Sequence, residues 1–113
     1  MDSEIQVWLL DIKTCIDEIF EFLDDRKDFF SFKADIKTKK AVQRNFEIIG
    51  EAMNRILRVQ PDFPVEHARK IIGMRNRIIH SYDAISDELI WTTIIRDLPL
   101  LKQQIDQLVK NIE

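Results

Sequence analysis

One stretch of the chain is rich in side chains that can do chemistry: Ile71-Ile72-Gly73-Met74-Arg75-Asn76-Arg77-Ile78-Ile79-His80-Ser81-Tyr82-Asp83. Between Arg75 and Tyr82 it gathers two guanidiniums, an amide, an imidazole, a hydroxyl and a phenol. An arginine stays charged and offers a planar fork of donors that suits phosphate oxygens. A histidine titrates near neutrality and can give or take a proton. Arg and His together, with no carboxylate pair and no metal-ligand set beside them, suit cleavage of a phosphodiester by the substrate's own 2′-hydroxyl. The His activates that hydroxyl or protonates the leaving oxygen, and the Arg stabilises charge developing on phosphorus. Arg75 and His80 are the candidate catalytic pair. The competing reading is structural: arginines on a surface helix are solvated or salt-bridged, a His in a last turn answers the helix dipole, and Tyr82 is a core ring with a wet hydroxyl.

Helical geometry constrains the catalytic reading. Arg75 and His80 are separated by about 140° around an ideal helix and about 7.5 Å along it, whereas Arg75 and Tyr82 lie about 20° apart. One helix therefore does not converge Arg75 and His80 on one phosphate. A symmetric dimer with these helices facing across the two-fold would place two copies of each in one cleft, so a homodimer is expected.

The elements that must hold this segment read as helices. Ile5, Trp8, Leu9, Ile12, Ile16, Ile19 and Leu23 recur at three- and four-residue steps, and Ser3 with Gln6 matches a capping box. Residues 24–34, charge-dense with Phe29, Phe30 and Phe32, read as a connector with a possible short helix. A second helix is predicted from about Asp35 to Val59, on Val42, Phe46, Ile49, Met53 and Ile56, with Pro61 and Pro64 closing it. A third runs from near Val65 to about Ser81. A fourth starts at Ser86 as N-cap and continues through Ile90, Ile94, Leu98, Leu101, Ile105, Leu108 and Ile112, with a kink or break near Asp97 because of Pro99. Long helices joined by short loops predict an all-α, up-and-down antiparallel bundle of four long helices, with the possible short extra one. Cys15 and the methionines fall to the core, and His67 to the surface.

Composition agrees with that class. The 113 residues suit one domain spanning 1–113. Two glycines and three prolines are too few for a many-stranded sandwich, and 45% hydrophobic residues argue against disorder. The lone Cys15 forms no intrachain bridge and no metal-binding Cys pair exists, so no metal and no cofactor are expected. The N-terminus has no basic leader and no apolar run reaches the ~18 residues that span a membrane, which predicts a cytoplasmic protein without a membrane partner. A net charge of −3 speaks against a general nucleic-acid binder. The cations are nevertheless concentrated in two acid-free windows, Lys37, Lys39, Lys40 and Arg44 in one and Arg69, Lys70, Arg75 and Arg77 in the other. These form either one localised anion-binding face or two ordinary solvated helix faces.

Arg75-Asn76-Arg77-Ile78-Ile79-His80-Ser81-Tyr82 resembles the R-x4-H-x-Y signature of the HEPN superfamily in its HepT-like branch. Arg44-Asn45-Phe46-Glu47-Ile48-Ile49-Gly50-Glu51-Ala52 resembles the family's RNxEIIGEA block, Ile71-Ile72-Gly73-Met74-Arg75-Asn76 its IIGMRN lead-in, and Asp97-Leu98-Pro99 its DLP element. These blocks occur in the family's order over about residues 35–110. Val65 departs from the pattern, since the family commonly has Trp after the Phe-Pro pair. The resemblance implies a HEPN-like bundle, a homodimer with Arg75 and His80 lining a shared cleft, and metal-independent endoribonuclease activity on RNA, with tRNA among the family's substrates. Asn76, Arg77, Glu51 and Arg44 are then supporting or RNA-binding candidates. It further implies a toxin whose antitoxin is an MntA-type nucleotidyltransferase that transfers AMP to Tyr82, placing a phosphate and an adenosine beside the cleft. The alternative is a non-catalytic subunit that holds a nucleotide or other substrate for a nucleotidyltransferase; an intact Arg75, His80 and Tyr82 favours the enzyme.

Overall fold

In the computed structural model of the protein, residues 2–24, 28–65, 67–80 and 86–112 are described, with Ala68, Ile79 and His80 described in backbone only. The first apolar stripe forms α1 (Ser3–Leu23), and Ile5, Leu9, Ile12, Ile16, Ile19 and Leu23 are all buried. Its start departs from the expected Ser3/Gln6 capping box. Asp2 is the N-cap, and its carboxylate accepts from the Glu4 and Ile5 amides. Ser3 is thus already the first helical residue, because the preceding carboxylate reaches two of the amides that a helix start leaves unpaired.

The aromatic connector contains α2 (Phe29–Ala34), capped by Asp28. Phe32 is fully buried against Trp91 and Phe29 leans on the same indole, so these two form a packed cap, while Phe30 is left exposed. Asp35 then caps α3 (Ile36–Val59) by accepting from the Thr38 amide. All five residues of the predicted α3 stripe are buried. After Pro61 and Pro64, α4 (Ala68–His80) begins three residues later than the periodicity suggests. Phe63 and Val65 are instead buried in the turn-rich connection, so the apolar Val65 belongs to the core without belonging to the helix.

The last predicted helix is divided as Pro99 requires. Ser86 caps α5 (Asp87–Thr92), a π-helical turn covers Thr93–Asp97, and α6 (Leu98–Ile112) completes the chain. A proline lacks an amide proton and its ring crowds the carbonyl four residues back, here that of Ile95. Widening the helix one turn earlier, with the Leu98 N–H donating to the Thr93 carbonyl, removes that conflict.

The helices form an all-α bundle in which α3 packs between α1 and α4, while α6 closes onto α1. Lys13 pairs with Asp106 and Lys102 with Asp17, a crossed register that sets α1 and α6 antiparallel. Lys39 pairs with Asp87 at 3.3 Å and ties α3 to α5. Behind these contacts lies one contiguous core, including Cys15, Met53 and Met74. Among the described residues, no helix is long and apolar enough to cross a membrane.

Candidate active site at the α3–α4 contact

The position of Arg75 is set by a glycine on the neighbouring helix. A Cβ on Gly50 would overlap the Arg75 Cβ and lie 2.8 Å from its Cγ, so only glycine lets α4 come this close to α3. Sequence reasoning gave Gly50 no role of its own. The available signal was a glycine in mid-helix, which costs about 1 kcal/mol relative to alanine unless close packing needs it.

The residue that follows Gly50, Glu51, holds the guanidinium. Arg75 Nη2 donates to Glu51 Oε2 at 2.6 Å, and Nη1 donates to Asn76 Oδ1 at 2.8 Å. Arg55 donates through Nε to the other Glu51 oxygen at 3.3 Å. One carboxylate on α3 thus orients the motif arginine and is itself steadied by a second arginine. Among the described residues, two of the five N–H groups of Arg75 are donated and the Nε–H is buried without a partner, leaving one on each terminal nitrogen. Such a side chain, with 21% of its area exposed, is pre-positioned yet still able to donate.

Arg75 forms one wall of a groove of about 390 Å³ whose other sides come from α1 and α3: Trp8, Asp11, Arg44, Glu47, Glu51 and Arg55. Arg44 and Arg75, one from each basic window, therefore meet across it. Arg44 pairs with Glu47 at 3.0 Å and keeps most of its side chain in solvent. Three cations face three carboxylates, so the groove is mixed in charge rather than a broad basic surface.

Not every predicted site residue joins this cluster. Arg77, exposed, projects to the opposite flank of α4, as two residues and about 200° of helical rotation require. Asn45, in the same family block as Arg44 and Glu51, is buried and donates to the Cys15 carbonyl at 3.1 Å and to Glu18 at 3.0 Å, so it couples α3 to α1. His67 is half-buried, its amide donating to Gln104 at 3.5 Å. The His80 side chain, Ser81 and Tyr82 lie outside the described residues. Among the described residues, no three His, Cys, Asp or Glu side chains gather as a metal ion would require.

Comparison with known proteins decides the family. The sequence pattern described as "Ribonuclease HepT-like" matches residues 12–108. The chain belongs to the ribonuclease HepT-like family. A Thermococcus cleftensis protein named "Probable ribonuclease HepT" is 36% identical over 107 residues, covering 91% of this chain and 94% of its own. Two Methanocaldococcus jannaschii proteins, both named as candidate RNases, are 32% and 30% identical; the alignments cover 98% and 97% of this chain and 92% and 95% of theirs. No solved structure matches the chain. Ribonuclease is the activity class that goes with this HepT-like family, and the all-α bundle is the one expected of it.

Proposed function

We propose that this HepT-like ribonuclease is a metal-independent endonuclease that acts as a homodimer on RNA, tRNA above all. The observation that carries the reading is the state of Arg75: its stem is seated on Gly50, its fork is oriented by Glu51 and Asn76, and donors remain free at the edge of a groove. Holding a guanidinium in place before substrate arrives is what charge stabilisation at phosphorus needs, because no reorganisation is then required during reaction. In the proposed step the 2′-hydroxyl attacks the adjacent phosphorus, its proton passes to a base, and the P–O5′ bond breaks with protonation of the leaving oxygen. The products are a 2′,3′-cyclic phosphate and a free 5′-hydroxyl. Arg75 stabilises the phosphorane charge and His80 carries a proton. The angular separation of these positions on α4 is the argument for the dimer, in which the second copy supplies the missing partner group to each phosphate. Arg44 and Asn76 support strand binding.

As part of the same proposal, the enzyme is the cytoplasmic toxin of a toxin–antitoxin pair. A partner nucleotidyltransferase of the MntA type moves AMP from ATP to the Tyr82 oxygen with release of pyrophosphate. The added phosphate repels the RNA backbone and the adenosine blocks the cleft. No resident cofactor is called for.

The test compares wild type, Arg75→Ala and His80→Ala on total tRNA in EDTA, with fragment ends read by mass. Wild type should leave 2′,3′-cyclic phosphate ends. Removal of one preorganised charge donor should cost about 10²–10³ in rate, and removal of the acid-base residue about 10²–10⁴. A folded, unmodified dimer that leaves RNA intact would instead support the substrate-binding subunit. Incubation with the nucleotidyltransferase and ATP should add one AMP to wild type and none to Tyr82→Phe.

A further inference from the structure

On the flank of α4 turned away from Arg75, a second pocket of about 440 Å³ is built by Lys70, Gly73, Met74 and Arg77 of α4 with Thr93, Arg96 and Asp97 of the π-helical turn and Leu89. The α4 residues lie at i, i+3, i+4 and i+7, so one face of the helix lines it. Its floor at Gly73 is open, since a Cβ there would meet nothing within 4 Å. Three cations surround one carboxylate: Lys70 Nζ and Arg96 Nε each lie 3.4 Å from Asp97 Oδ1, and Arg77 has no acidic partner among the described residues.

Asp97 is the unusual member. Its side chain is 8% exposed, and its Oδ2 is buried with no hydrogen-bond partner among the described residues. A buried carboxylate oxygen left unpaired is costly and calls for a functional explanation. The two cations on the other oxygen, Oδ1, are long, largely exposed side chains, 60% and 62% free, that can be drawn outward by an anion.

We propose that this pocket is a subsite for one ribonucleotide of the RNA strand, distinct from the Arg75 groove. Its phosphate binds Lys70, Arg77 and Arg96, drawing Lys70 and Arg96 off Asp97 Oδ1, and its ribose 2′-hydroxyl donates to the Asp97 carboxylate in their place. Spacing favours the sugar over the base as the donor. Lys70 and Arg96 are hydrogen-bonded to Asp97, so a phosphate held by them lies next to the carboxylate. In a nucleotide, the 2′-hydroxyl neighbours the 3′-phosphate while the base edge is farther away. The 2′-hydroxyl is also the group that separates RNA from DNA at a protein surface. The subsite thereby supplies sugar discrimination to the ribonuclease reading, on which it rests. An RNA strand touching both sites would cross α4 between two phosphate contacts on opposite flanks.

Binding of mononucleotides tests this without any cleavage. The intact protein is titrated with adenosine 3′-monophosphate and with 2′-deoxyadenosine 3′-monophosphate while backbone amide NMR shifts are followed. The ribonucleotide should bind about tenfold or more tightly, as one hydrogen bond to a charged acceptor implies, with shifts centred on Gly73 and Asp97. Asp97→Ala should bring the two ligands within about twofold of one another. The double variant Lys70→Gln/Arg96→Gln, which keeps Asp97, should weaken both by about tenfold or more. Equal binding of the two ligands by wild type, or shifts confined to Gly50 and Arg75, would overturn the proposal. Such a result alongside normal tRNA cleavage would sink the subsite alone. Sugar discrimination without cleavage would count against the ribonuclease reading and leave the subsite standing.

Discussion

Replacing Gly50 by alanine is the sharpest test of how the site is assembled. The new methyl would sit 2.8 Å from Arg75 Cγ and overlap Arg75 Cβ, an atom fixed by the α4 backbone. Carbon atoms settle at about 3.5–4.0 Å, so α4 must withdraw by about 1 Å. Overpacking of this kind costs about 1–3 kcal/mol, and the rigidity of the struck atom argues for the upper part of that range. Alanine returns about 1 kcal/mol in helix propensity, leaving a net loss of about 1–2 kcal/mol. For a chain of this size each kcal/mol shifts Tm by about 4 °C, so a fall of about 4–8 °C is expected by calorimetry. Gly73→Ala is the internal control. Gly73 is exposed in mid-helix with nothing near its Cβ, and the same substitution there should raise stability by about 0.5–1 kcal/mol. A shift of the helix also carries the Arg75 fork away from Glu51, so Gly50→Ala should lose about tenfold or more in cleavage rate. If Gly50→Ala is as stabilising as Gly73→Ala, the close approach is not what places Arg75 and the reasoning fails.

Other consequences follow from the same structure. Glu51→Gln keeps an acceptor for Arg75 but removes its counter-charge; RNA should bind more tightly with lower KM, while kcat falls about fivefold or more because the fork is less firmly held, and an unchanged kcat would refute the positioning role. Burial, with the Glu18 carboxylate adding to it, pushes the Cys15 thiol up to about 11. At pH 8 the folded protein should therefore react with a thiol reagent at least about 200-fold more slowly than the urea-unfolded chain, which is followed by absorbance. The α1–α6 network gives a pH signature. Burial opposes the charged form of Asp106, but hydrogen bonds from Lys13 and Lys102 outweigh it and hold the carboxyl below its ordinary value. A side-chain hydrogen bond to Asp106 leads in raising Lys13, and one to Asp17 leads in raising Lys102. The carboxylate contribution is present above ~4 and is lost as pH falls through the lowered folded value; the lysine contributions are present below ~10.4 and are lost as pH rises through the raised ones. These groups are partly exposed, so Asp106→Asn should cost only about 0.5–1 kcal/mol between pH 5 and 9, with the difference from wild type shrinking outside that plateau in denaturant titrations.

Much of the architecture was legible because it rests on local rules. The stripe from Val42 to Ile56 announces a buried helix face, Ser86 announces a start, and Pro99 announces a break near Asp97, since a missing amide proton has the same consequence in any helix. Caps and boundaries were less secure where neighbours compete. Asp2 displaces Ser3 as the cap, and Val65 is buried by the α3–α4 connection rather than by a helix of its own.

The arginine of the motif was recognisable from residue type and spacing, as were Glu51, Arg44 and Asn76 as its companions through the family blocks. Their pairing was not, because a hydrogen bond across 24 residues depends on how α3 and α4 cross. The same holds for Asn45, whose amide donates to the Cys15 carbonyl and the Glu18 carboxylate of α1 across 30 and 27 residues. Periodicity and side-chain chemistry thus determine which residues are helical, which faces are apolar and which groups are able to handle a phosphodiester. Tertiary packing alone decides that a missing Cβ at Gly50 seats Arg75 against Glu51, and that the opposite flank of α4, to which helix geometry turns Arg77, meets the π-helical turn and its Asp97. Distances between helices are set by the volumes of side chains far apart in the chain, and no local pattern encodes them.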